Sequence, residues 1–196
     1  VASGTSAFAS GQSAYVVASQ TGGAGGAYIY GGGAGAARTL INAVSGATTG
    51  GNLSLRQYAT GGAGGFTYGF YAAGGGGAAT SSLTFNDVTA NAIQAASFYA
   101  LSKARGGQGG SGTILSAGPA ASASSSLVIT GGGVMSGRSA AYGGNAGPSY
   151  AGGGNATASV VSTSLSTGTV SNFAVAVGPR DGAAVRRWDG SAVRRW

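Results

Sequence analysis

The chain has 196 residues, 43% of them hydrophobic, yet 42 are Gly and only 6 Phe, 9 Tyr, 2 Trp and 1 Met are present, so much of the apolar content is Ala. That composition excludes a thick core of large side chains. With a net charge of +7 and no Cys, His or Glu, it also excludes disulfides, thiolate nucleophiles, an ordinary catalytic triad and Cys-based metal sites.

Each glycine loses much backbone freedom on folding, and close main-chain packing that only a residue without Cβ permits is the usual compensation. Collagen is excluded, because the glycines lack a three-residue period and Pro is only 3. Charged residues are 7% of the chain, and alternating strand-like runs separate the glycine clusters, which argues for order over a solvated linker. No apolar run reaches membrane-spanning length, so no membrane span is expected.

Residues 1–20 hold one strand, Ala14 to Ser19 (AYVVAS), and read as an N-terminal cap or partial repeat. From Thr21 the pattern TGGAGG, an aromatic insert, then GGGAGAA begins, and it returns at Thr60, more loosely at Arg105 and at Tyr142. Starts at Gly22, Gly61, Gly106 and Gly143 are 39, 45 and 37 residues apart, a spacing of propellers, solenoids and arrays. The body therefore divides into 21–59, 60–104, 105–141 and 142–179.

Within these units, Arg38 to Val44 reads as a strand followed by a turn at Ser45 to Gly51, and Asn52 to Thr60 alternates with period two. The Gly-rich turn implies that the two strands are neighbours. Ser81 to Val88, Ala92 to Ala104, Ser125 to Thr130, Val134 to Ala141, Ala156 to Ser164 and Thr169 to Val177 complete the set. Helix competes only at Ala92 to Ala104. A propeller wants larger hydrophobic residues in each blade. The expectation is an all-β, glycine-rich repeat solenoid of about four ~40-residue repeats, its glycine segments polyproline-II-like or extended.

INAVSGATTGGNLSLRQYATGGAGG and SSLTFNDVTANAIQAASFYA resemble the repeats of large Gly, Ala, Ser and Thr-rich secreted bacterial proteins of adhesin-like or autotransporter-passenger-like type, over Thr21 to Pro179. The resemblance implies a secreted, surface-exposed, β-rich structural or adhesive role. It brings no site residues.

Residues 180–196 form a basic Arg/Trp tail, in which DGAAVRRW is followed by DGSAVRRW. Its WDGSA unit is similar to short units near the ends of phage tail-fibre proteins. Arg186, Arg187, Trp188, Arg194, Arg195 and Trp196 are candidate contact residues, since Arg and Trp are enriched at interface hot spots.

The acids are Asp87, Asp181 and Asp189, too scattered for a paired-carboxylate mechanism, and no enzyme, cofactor or metal site is expected. The glycine clusters lack a following GK[ST] and contain no Asp, so neither a phosphate loop nor a calcium repeat is read there. Contact with a neighbouring subunit or with a ligand is read at the inserts, Tyr28, Ile29, Tyr30, Phe66, Tyr68, Phe70, Tyr71 and Tyr150, which sit where each glycine segment reverses.

Two functions follow as expectations. One is a secreted structural subunit of a self-assembling extracellular fibre or a surface adhesin, with Ala14 to Ser19 and Thr169 to Val177 as end strands. The other is a phage tail-fibre tip presenting aromatic loops. The expected partners are a second copy of the chain and a surface glycan or protein receptor, with no specific nucleic acid.

Overall fold

The computed structural model describes residues 7–68, 70–112, 117–147, 152–178 and 186–188. Its elements are β1 (Ala7–Gly11), β2 (Ala14–Thr21), β3 (Arg38–Ile41), β4 (Val44–Thr48), β5 (Asn52–Thr60), β6 (Ala79–Asn86), α1 (Asp87–Ala90), β7 (Ser97–Arg105), β8 (Ala123–Gly131), β9 (Val134–Tyr142), β10 (Ala156–Ser164), β11 (Val170–Val177) and β12 (Arg186–Trp188).

Strands β12-β11-β9-β7-β5-β2 make a six-stranded sheet, β10-β8-β6-β3 a four-stranded sheet, and β1-β4 a pair. Every pairing is parallel except that of β12 with β11. This corrects the expected all-β repeat solenoid. The strands sort into three separate, almost wholly parallel sheets with one short helix, the layered arrangement that α/β proteins build with crossover helices. Parallel neighbours need long crossovers, and here glycine segments replace the helices.

Local corrections have local causes. Arg38 to Ile41 and Asn52 to Thr60 lie in different sheets rather than pairing as neighbours. Asn42 turns the chain out of β3 in a left-handed conformation (φ 47°), where Asn is among the residues that tolerate it. Its side chain also accepts from Thr84 N at 2.7 Å. The expected turn at Ser45 to Gly51 is largely β4, paired in parallel with a strand that the sequence had left unread, Ala7–Gly11. The run Ser81 to Val88 is cut at Asn86, which caps α1 by accepting from Val88 N and Thr89 N. The strand read at Ala92 to Ala104 begins only at Ser97.

Facing positions of the two large sheets shrink in order along β5, β6 and β8. At one end lie Leu53, Leu55, Phe98, Met135, Leu83, Leu127 and Ile129, all at most 1% exposed, with Phe85 set edge-on to Phe98. Next comes a buried polar seam that crosses between the sheets. Gln57 Nε2 donates to Ser81 Oγ (3.0 Å), Ser81 and Ser102 hydroxyls bond at 2.8 Å, Ser125 Oγ donates to Ser102 O (2.8 Å), and Ser139 Oγ donates to Ser125 Oγ (2.9 Å). Such a seam is favourable only when its members are paired, and Gln57 Oε1 also accepts from Ala43 N. After the seam stand Ala59, Ala79, Ala104, Ala123 and Ala141, all buried, and then glycine. Apolar faces normally hold sheets about 10 Å apart; the falling side-chain size draws them together until only main chain separates them.

Beyond that point the outgoing and returning glycine segments bond main chain to main chain. Gly22 N, Gly25 N and Tyr28 N donate to Thr60 O, Ala63 O and Phe66 O, a three-residue rhythm that matches the threefold polyproline II helix. The intervening donors cross the layer: Gly62 N reaches Ala36 O, Gly65 N reaches Gly33 O, and Gly77 N reaches Gly62 O. A Cβ at Gly64 or Gly76 would collide with the Gly74 or Gly107 carbonyl oxygen.

The described acid, Asp87, is fully buried and acts as a staple: Oδ1 accepts from Asn91 Nδ2 (2.5 Å) and Oδ2 from Ala95 N (2.8 Å). Asp87→Ala is expected to cost about 3 kcal/mol, because charge-assisted bonds disappear and buried donors lose their acceptor. Gly64→Val and Gly76→Val are each expected to cost about 3 kcal/mol through overpacking against backbone. Urea midpoints with the slope held constant measure all three.

Candidate functional site

The aromatic inserts lie at the reversal between outgoing and returning glycine segments. Tyr28 and Thr67 form a parallel bridge, and Thr67 forms another with Gly112, so adjacent tips are held in register. Tyr28, Ile29, Tyr30, Tyr68, Phe70 and Tyr71 are between 52% and 79% exposed, while Phe66 is half-buried. Rings meet within each insert, Tyr28 with Tyr30 at 5.6 Å and Phe66 with Tyr68 at 4.8 Å, and between inserts, Tyr30 with Tyr71 at 5.5 Å, all edge-on. Edge-to-face contacts of this kind add about 1 kcal/mol each and fix ring orientation. Tyr150 lies outside the described residues.

Two properties distinguish this end. Its support is main chain bonded to main chain, which leaves the tip positions little freedom. Its chemistry is neutral, since 21–37 and 60–79 contain no charged residue. Tyrosine rings there offer apolar faces with hydroxyl edges.

A second surface escaped the sequence reading. The outward face of the six-stranded sheet places Val17, Arg56, Leu101, Arg138 and Phe173 in one row, and Thr21, Thr60, Arg105, Tyr142 and Val177 in another. Arg56 lies over the rings of both Tyr15 and Tyr99, at 5.0 Å from each. Lys103 covers Tyr142 at 5.1 Å, and Arg138 covers Phe173 at 5.3 Å. Lys103 and Arg105 also border a shallow groove with Gln108, Tyr142 and Asn145. No acid among the described residues faces these cations, because Asp87 is fully buried. The available signal was the outward half of the strand alternation, but only the register brings Arg56, Lys103, Arg105 and Arg138 onto one face.

The tail contributes differently. Arg186–Trp188 adds an antiparallel strand to β11, with Ala174 opposite Trp188. The Thr169 to Val177 segment, expected as an open end strand, is thus covered over Ala174–Ala176. Arg194, Arg195, Trp196 and the WDGSA unit lie outside the described residues. Among the described residues no group of His, Cys, Asp or Glu is placed to hold a metal, and no helix is long and apolar enough to cross a membrane.

No protein-family model, curated protein or solved structure matches this chain.

The double cation–π stack makes Arg56 a specific test of the sheet face. Arg56→Ala is expected to lower stability by about 1 to 2 kcal/mol, and Arg56→Lys to recover part of that, since an ammonium stacks less well on two rings. Thermal unfolding of the three proteins measures the order.

Proposed function

We propose that the protein is a secreted, surface-exposed adhesin whose glycine-backed tips bind a neutral surface glycan. The observation that carries this reading is the exposed ring cluster Tyr28, Tyr30 and Tyr71, held in edge-on contact in a region without charge. A sugar ring presents C–H faces and hydroxyl edges, which the faces and hydroxyls of tyrosine complement. Rings already oriented by one another lose little entropy on binding. The absence of charge disfavours anionic partners at this end, nucleic acid included, because those are held chiefly by Lys and Arg.

The adhesin reading is preferred to a fibre subunit. Head-to-tail stacking of parallel sheets needs free edges at both ends, and β12 occupies part of the β11 edge.

The test is binding to an array of neutral oligosaccharides by wild type and by a Tyr28→Ala/Tyr30→Ala/Tyr71→Ala variant. Wild type is expected to bind at least one neutral glycan, and the variant to lose about tenfold or more in affinity with its unfolding temperature unchanged. Wild type that binds no neutral glycan, or a variant that binds as well as wild type, would overturn the proposal. Loss of self-association in the variant without any glycan binding would assign the rings to subunit packing instead.

A further inference from the structure

Gly23 and Gly26 are glycines without an occupant. The sheet register aligns Thr21 with Thr60, Arg105 and Tyr142. Carried into the glycine segments, it aligns Gly23 with Gly62, Gly107 and Gly144, and Gly26 with Gly65, Gly110 and Gly147. At all six of those positions the residue is buried and an added Cβ would collide with a neighbouring carbonyl oxygen. Each of the six N–H groups donates to a returning segment, at distances from 2.7 to 3.3 Å. Gly23 and Gly26 differ on every count. Both are exposed, a Cβ on either meets nothing within 4 Å, and no backbone carbonyl among the described residues accepts from their N–H groups.

The matching acceptors are also open. Thr60 O and Ala63 O take the N–H groups of Gly22 and Gly25, and Arg105 O, Gln108 O, Tyr142 O and Asn145 O are filled in the same way. Their counterparts Thr21 O and Ala24 O have no glycine segment donating to them among the described residues. Among the described residues, β2 and β3 are the terminal strands of their sheets at this same end.

We propose that this end face, centred on Thr21–Gly26, is a docking site for a second copy of the same chain, related by a two-fold axis. Three observations select that occupant. Donors at Gly23 and Gly26 and acceptors at Thr21 and Ala24 lie on one face, so the face is self-complementary, as an isologous contact requires. What fills the six interior positions is bare main chain, which another copy of the face presents. Residues 21–37 carry no charge, so two faces of a chain of net charge +7 meet there without like-charge repulsion. An isologous contact uses this same face on both copies, so association through it stops at two. The site is separate from the ring cluster, and its test reads mass rather than glycan binding.

Sedimentation of the full chain over about two decades of concentration tests it. Wild type is expected to show a concentration-dependent dimer and nothing larger. Gly23→Ala/Gly26→Ala is expected to raise the dimer dissociation constant about tenfold or more while leaving the unfolding temperature of the monomer, measured well below that dissociation constant, unchanged, because within one chain each new methyl enters open space. Gly62→Ala, at an interior counterpart, is expected to lower the unfolding temperature. Wild type that stays monomeric, a ladder of larger species, or an Ala/Ala variant that dimerises as wild type does would overturn the proposal. So would a fall in the unfolding temperature of that variant at concentrations where wild type is monomeric, which would mean that the chain itself already fills the face.

Discussion

The structure depends on main chain meeting main chain without intervening side chains. At Gly62 and Gly65 the neighbouring carbonyls stand where a Cβ would be, and the gain from that approach is a dense set of backbone hydrogen bonds from Gly22 to Gly154. A single bond of this kind contributes about 1 kcal/mol net, and ordering a glycine costs a comparable amount. Individual contacts therefore decide little. The assembly holds because the same bonds recur across successive segments and because the apolar wedge of Leu55, Leu83, Phe98 and Leu127 sets the sheets that feed them.

The wedge explains how a chain so poor in large residues folds. Bulk is needed only where the sheets stand apart, and Leu53, Leu55, Leu83, Leu127, Phe98 and Met135 are placed there. The serine seam follows where the gap is too narrow for Leu but wide enough for paired hydroxyls. Ser81, Ser102, Ser125 and Ser139 then act as registration marks, since a strand shifted by two residues, which keeps its inward face, would bury an unpaired hydroxyl against an alanine.

Much of this was legible in the sequence. Asn52–Thr60 and Ala156–Ser164 are strands over the residues that alternation indicated, and the glycine clusters align where they were read to align. Sheet membership was not legible, because alternation reports which residues share a face and not which strand lies alongside. The β4 strand was masked by Gly46 and by a Thr-Gly-Gly turn signature. The end of β6 was set by the Asn86 cap, a bond to backbone that no hydropathy pattern carries. Of the candidate site, the tips were visible as aromatic inserts between glycines, whereas the cationic face was hidden because Arg56, Lys103 and Arg138 are far apart in sequence and adjacent only in register.

The crossing bonds within the glycine layer have a mechanical consequence. A pull applied to Tyr30 enters two strands of chain at once, the outgoing Gly22–Gly26 and the returning Gly32–Ala36, and each is tied sideways to the next segment through Thr60, Ala63 and Gly75. Those ties lie across the direction of pull, so they are strained together in shear instead of opening one after another. Tension at the tip is thereby shared between both sheets without any covalent cross-link, in a sequence that has no cysteine to make one.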